Sequence, residues 1–324
     1  MLTRLKEAIE RSVHKYCSES IHRDTAIMAL CRPGFALHPD SSCRAALFTI
    51  EIFRSITGQV TEQAIRAATA VELIMEAGFM FDNVADNEVD STGGMTPPEE
   101  LALAITMLSS GVAIAHETAA IAATGAAARS VLQLQINSIA ASAGQFLDAY
   151  LQRTECTSTE QSLRMTTLKS GSIGRLAGEF AASMATEDRE IIDGFAEFGF
   201  DLFSYLQRVD DLRDAMPENS EIGDLSQGKR TLPIVFFYNT VESSKAIEHK
   251  GVIIAVDSEQ QLAEIRRQFA TSGSMSFCAI VAEAYLNRSK SDLEKLKPKV
   301  VTVESLEQLV STLEFAAEEV SLAS

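Results

Sequence analysis

Two groups of carboxylates interrupt long, apolar, helix-forming stretches: Asp82-Asn83-Val84-Ala85-Asp86 and Asp210-Asp211-Leu212-Arg213-Asp214. Residues i and i+4 of an α-helix share a face with side chains about 6 Å apart. Asp82 with Asp86, and Asp210 with Asp214, therefore form two pairs spaced for a hard divalent cation. Both groups stand near the C-terminal ends of their helices, where the backbone already carries partial negative charge, so carboxylates crowded there need cations. Mg2+ prefers a few carboxylates completed by substrate phosphates over an all-protein cage, which points to Mg2+ ions gripping a diphosphate between two acidic helices. That arrangement constrains the fold, because residues near 82 and near 210 must then share one core.

The rest of the chain agrees with such a core. Strand signals are almost absent, and helices are expected at about 3–20, 43–57, 61–90, 97–125, 127–153, 158–187, 189–216, 231–243, 257–271, 275–295 and 302–321. Thr96-Pro97-Pro98-Glu99 supplies an N-cap, a proline at the first helical position and a glutamate at the third. Thr157-Ser158-Thr159-Glu160 repeats the capping box. Breaks fall at Arg32-Pro33-Gly34, at Ser91-Thr92-Gly93-Gly94 and from Pro217 to Gly228. No Ser/Gly-rich linker divides the 324 residues, so a single domain over 1–324 is expected. Its fold class is all-α, a helical bundle around a central cavity with ligands projecting from facing helices.

Composition narrows the partners. A formal net charge of −17 disfavours nucleic acid and anionic membrane surfaces, which reward clusters of Lys and Arg. The five cysteines lack CxxC spacing and are odd in number, which fits reduced thiols in a cytoplasmic enzyme. The longest uncharged run, Leu101 to His116, is shorter than the roughly 20 residues a membrane span needs, and no signal peptide opens the chain.

Further motifs accompany the acidic groups in a fixed order. Val71-Glu72-Leu73 precedes Phe81 and the first group. Gly144-Gln145 with Asp148 follows, then Lys169-Ser170-Gly171, then Gln207-Arg208-Val209-Asp210-Asp211-Leu212-Arg213-Asp214, and finally Gly228-Lys229-Arg230-Thr231-Leu232-Pro233. In this order and spacing the chain, from about Arg44 to its C-terminal region, resembles the trans-isoprenyl diphosphate synthases, the polyprenyl synthetase family. The resemblance implies an isoprenoid-synthase-type bundle, in which three Mg2+ ions bind an allylic diphosphate, ionise it and leave an allylic cation for attack. Asp82, Asp86, Asp210 and Asp214 match its metal ligands, and Asp211 joins Asp82, Asp86, Asp210 and Lys169 in the implied catalytic set. Lys169, Gln207 and Lys229 match contacts to the diphosphate or carbocation, with Arg230 as a further cation. Asn83 stands where the family has an aspartate; its amide oxygen is expected to accept from a metal-bound water. A homodimer is expected.

The half of the site that would hold isopentenyl diphosphate departs from the family. The GGKxxRP stretch is replaced by Pro39-Asp40-Ser41-Ser42-Cys43-Arg44-Ala45, which keeps only Arg44. Met75 occupies the position of a His or Gln, and Ser91-Thr92 replace an arginine pair. Each lost charge-assisted bond is worth about 1.5–3 kcal/mol. Ala77 and Gly78 stand where bulkier residues often limit chain length, so a cavity admitting C15, C20 or longer chains is expected. The resulting expectation is a prenyltransferase that delivers its allylic group to an acceptor other than isopentenyl diphosphate. A class I terpene synthase, an ordinary polyprenyl diphosphate synthase and a non-catalytic partner subunit are the alternatives.

Overall fold

The computed structural model describes residues 1–86, 89, 94–122, 124–154, 156–215, 224, 228–240 and 267–322, with side chains as far as Glu314. Among the described residues there is no strand. The helices are α1 (Leu2–Tyr16), α2 (Ser20–Leu30), α3 (Arg44–Thr57), α4 (Glu62–Ala85), α5 (Pro97–Ile121), α6 (Gly125–Leu151), α7 (Thr159–Thr166), α8 (Ser172–Ala185), α9 (Arg189–Asp214), α10 (Leu232–Thr240), α11 (Ser274–Leu296) and α12 (Glu304–Leu322). A π-helical turn, Thr167–Gly171, joins α7 to α8.

Several boundaries move from their sequence expectation. The first helix stops at Tyr16 and a second starts at Ser20, because the Glu19 carboxylate accepts the His22 backbone N–H at 2.7 Å and caps a new N-terminus. The capping box of α7 is set one residue later than expected, on Ser158 and Gln161, whereas that of α5 uses Thr96 and Glu99 as read. The expected helix at 158–187 is interrupted by the π turn. The expected end of α4 to residue 90, the break from 217 to 228 and the helix from 257 fall wholly or partly outside the described residues.

The chain forms two compact units, each assembled from three stretches. The first comprises Met1–Ile139, Ile173–Gly199 and Asp292–Leu306. Here α4 lies against α5, α3 and α1. Its buried side is small: Ala64, Ala67, Ala68, Ala70 and Val71 are all at most marginally exposed. The chains approach so closely that a Cβ on Gly111 of α5 would lie 2.8 Å from the Ala70 carbonyl oxygen. By length and composition α5 could cross a bilayer, with an apolar window of mean hydropathy 1.3. Its Leu103, Ala104, Met107, Ile114 and Ala115 are instead buried in this unit. Phe48 and Phe198 pack at 5.6 Å between ring centres.

The second unit comprises Ala140–Ser172, Phe200–Ser291 and Glu307–Ser324. Its apolar clusters join Ala215, Ile234, Phe237 and Phe269, and Leu212, Leu232 and Cys278. Tyr285 is faced by two guanidinium groups, Arg208 at 4.1 Å and Arg288 at 4.0 Å, and Arg288 is anchored on Asp201 at 2.9 Å.

Candidate active site

In the first unit, Asp82 and Asn83 occupy the last turn of α4 and Asp86 is its C-cap, the Asp86 N–H donating to the Asp82 carbonyl at 2.9 Å. All three are partly exposed. Asn83 donates its amide N–H to Glu100 Oε1 at 3.2 Å. Glu100, fully buried in the first turn of α5, is held by a bidentate pair with Arg32, Nη1 to Oε2 at 2.9 Å and Nη2 to Oε1 at 2.5 Å. Arg32 also lies 4.5 Å over the Phe35 ring.

One turn and more before Asp82, Glu72 and Glu76 are buried in α4. Glu72 accepts the Ala46 N–H at 2.8 Å and so caps α3, whose own N-cap residue Cys43 sits in the left-handed region with no capping side chain. Burial pushes the Glu72 carboxyl up to about 7, against the hydrogen bond from Ala46. Glu76 is raised well above its ordinary value, by burial first and by Glu72 second. Ala77 is 1% exposed, while Gly78 faces open space: a Cβ added there meets nothing within 4 Å. Met75 is partly exposed, and Arg44, the first residue of α3, is exposed.

In the second unit the motifs converge on the π turn. Lys169 Nζ pairs with Asp148 Oδ2 at 3.0 Å. Gly144 explains why the two meet, since any Cβ there would run into the backbone of Leu168 and Lys169. The next residue, Ser170, donates to Gln207 Oε1 at 2.6 Å, and Gln207 Nε2 donates to Asp211 Oδ1 at 3.1 Å. Gly171 completes the turn, because a side chain there would meet Ser204 Oγ and the Phe200 ring at 2.5 to 3.0 Å. Each residue of Lys-Ser-Gly thus has a distinct neighbour, and the π turn, a distortion common at functional sites, presents all three at once.

Asp210 is about half exposed and pairs with Arg213 Nη1 at 3.1 Å; Asp214 is exposed. Asp211 is buried, and desolvation lifts its carboxyl to about 7 against the Gln207 hydrogen bond. Lys229 Nζ stands 3.7 Å from Asp224, whose carboxyl burial raises to about 6 while Lys229 lowers it. Arg230 is directed elsewhere, donating to the Thr154 carbonyl at 3.3 Å with its guanidinium 5.9 Å from the Tyr238 ring.

Arg32, Glu100, Ser170 and Asp224 were not anticipated. Arg32 sits in an Arg-Pro-Gly break, Glu100 follows the capping Glu99, and Asp224 falls between Pro217 and Gly228 in the sequence, so each reads locally as turn or cap chemistry. Ser170 alone had a visible signal, its place within Lys169-Ser170-Gly171.

A cation bound at the two acidic helix ends would meet the carboxylates of Asp82 and Asp86 or of Asp210 and Asp214, a donor type that suits Mg2+. Among the described residues no three His, Cys, Asp or Glu side chains gather to hold an ion. Protein oxygens at either helix end would therefore leave most of an ion's shell to water and phosphate, as Mg2+ requires.

This all-helical architecture is that of the isoprenoid synthases. A heptaprenyl diphosphate synthase from Staphylococcus aureus superposes with a TM-score of 0.78 at 17% identity, covering 98% of this chain and 96% of its own. The geranylgeranyl pyrophosphate synthetase of the archaeon Geoglobus acetivorans gives 0.79 at 18% identity, covering 98% and 99%. A polyprenyl synthase from Caulobacter crescentus CB15, complexed with calcium and isoprenyl diphosphate, gives 0.76 at 18%, covering 98% and 96%. A search of curated protein sequences finds no match. The Polyprenyl synthetase family profile matches residues 42–269, and the chain belongs to that family. Its members are prenyltransferases that act on allylic diphosphates with divalent metal.

Proposed function

We propose that this protein is a Mg2+-dependent prenyltransferase that ionises an allylic diphosphate of C15 to C20 or longer and transfers the prenyl group to an acceptor other than isopentenyl diphosphate. The carrying observation is an asymmetry within the motifs. The chain retains Asp82, Asp86, Asp210 and Asp214 with the Lys169–Asp148 and Ser170–Gln207–Asp211 contacts. Of the cationic positions expected for a second diphosphate, only the exposed Arg44 is kept.

In this reading Mg2+ held by the four aspartates supplies electrostatic stabilisation of the departing diphosphate. Lys169 and Lys229 neutralise its remaining charge, and Asp148 and Asp224 hold those ammonium groups in place until the diphosphate arrives. Gln207 orients Asp211 from one side and is itself fixed by Ser170. Ala77 and Gly78 put no bulky side chain at the two positions that limit chain length in this reading, which leaves room for a long prenyl tail. A single domain over 1–324 belongs to the same reading.

The reading includes a cytoplasmic homodimer. Leu132, Ile136, Ile139, Phe146 and Tyr150 are all exposed along one face of α6, a stripe too apolar to leave in water, and a second copy would cover it. Sedimentation of the purified protein tests this part directly.

Incubation with Mg2+ and C15 or C20 allylic diphosphate, with and without isopentenyl diphosphate, tests the chemistry. Poor elongation is expected. Efficient formation of longer linear diphosphates would restore ordinary chain elongation, and a cyclic hydrocarbon made from the allylic substrate alone would replace transfer by cyclisation.

A further inference from the structure

Position 83 breaks the acidic motif with an amide, and its surroundings give the reason. Glu100, whose two oxygens each accept an N–H of Arg32, presents acceptors to Asn83. The Asn83 atom 3.2 Å away must therefore be Nδ2, which settles the amide orientation and turns Oδ1 away from Glu100. Arg32 is the cation paired with Glu100, and Asp82 and Asp86 already place carboxylates beside Asn83 at this helix end. Arg32 is already committed in bidentate fashion to Glu100. An aspartate at 83 would add a carboxylate within hydrogen-bond distance of Glu100, whose guanidinium partner is already committed, where like charges are strongly disfavoured.

We propose that Asn83 is a positioning residue, whose amide ties the last turn of α4, with Asp82 and Asp86, to the buried Arg32–Glu100 pair, and that Glu100 is what excludes a carboxylate from position 83. The motif has then not decayed at this position; one carboxylate has been exchanged for a hydrogen bond to another helix. The claim about Asp82 and Asp86 rests on the diphosphate reading above, while the claim about Glu100 does not.

The two claims separate in one experiment on the purified full chain. Thermal unfolding without metal is measured for wild type, Asn83→Ala, Asn83→Asp, Glu100→Gln and the double variant N83D/E100Q. In the double variant amide and carboxylate change places: the introduced glutamine amide donates to the introduced aspartate, and its oxygen still accepts from Arg32. Asn83→Asp should lower the Tm by several degrees, further than Asn83→Ala, and N83D/E100Q should be more stable than the two single shifts add up to. An unfolded N83D with a folded double variant supports the proposal equally. A wild-type Tm for N83D, equal losses for N83A and N83D, or a merely additive double variant would overturn the exclusion.

The positioning role is read separately, from the Mg2+ concentration that gives half of the thermal stabilisation in the presence of inorganic diphosphate. Asn83→Ala should raise that midpoint about tenfold, beyond anything its metal-free Tm implies; an unchanged midpoint removes the positioning role. If wild type itself shows no stabilisation by Mg2+ and diphosphate, the proposed function fails, and the metal-free comparison still decides the network.

Discussion

One substitution, Gly to Ala, should have opposite effects at two helical positions in this chain. At Gly144 a Cβ would lie 2.6 Å from Lys169 Cα and 2.7 Å from the Leu168 carbonyl carbon, with the Lys169 nitrogen closer still, where ordinary contact begins near 3.4 Å. Since the obstacles are backbone atoms, α6 and the π turn must part by roughly 1 Å, and overpacking of this kind costs about 1–3 kcal/mol. Replacing a helical glycine by alanine returns about 1 kcal/mol. The net loss should be about 1 kcal/mol, or a Tm lower by about 1–2 °C for a chain of this length. At Gly78 the added methyl meets nothing within 4 Å, so only the propensity gain remains and the Tm should rise. The functional readout is larger than the thermal one. Moving the π turn takes Lys169 from its place beside Asp148; if its ammonium binds the diphosphate, losing that charge-assisted bond, worth about 1.5–3 kcal/mol, should raise the KM for the allylic substrate about 10- to 150-fold. Differential scanning fluorimetry and steady-state kinetics on both variants check this. A Gly144→Ala protein as stable as Gly78→Ala, with an unchanged KM, would refute the close crossing of α6 on the π turn.

Removing one carboxylate of either pair, Asp82→Ala or Asp210→Ala, should lower turnover with every allylic diphosphate by orders of magnitude while leaving the metal-free Tm close to wild type, since both side chains are partly exposed; two variants with wild-type rates would displace the metal site. Gly78→Phe should shift preference from C20 toward C10 substrates with the fold intact, whereas Ala77→Phe, at a position 1% exposed, should mainly destabilise by about 1–3 kcal/mol; product ratios and melting curves together distinguish the two. Glu72, with its carboxyl raised from 4.5 to about 7 by burial, keeps its proton in the folded state after the unfolded chain has released it. Its contribution is therefore complete below pH 4.5 and lost as pH rises through about 7, so Glu72→Gln should flatten the decline in stability across that window, measured by denaturant titration at successive pH values.

What could be read from the chain depended on how far apart the interacting residues lie. Asp82 with Asp86, Asp210 with Asp214 and the capping box at Thr96 are encoded within one or two helical turns, and the order of the motifs carried the fold class. Arg32–Glu100 joins residues 68 apart, and Asn83–Glu100 residues 17 apart, so no local pattern announces either. Arg32 looked like part of a turn and Asn83 like a weakened ligand, because a side chain's partner on another helix is invisible to spacing rules. Two adjacent small residues of α4 show the same limit at its sharpest. Ala77 and Gly78 are neighbours and both small, and sequence reasoning treated them as one opening. Successive helical residues point about 100° apart, enough to set Ala77 in the core while Gly78 faces open space. Smallness at 77 therefore serves packing, whereas Gly78 is exposed and a side chain there would meet nothing packed.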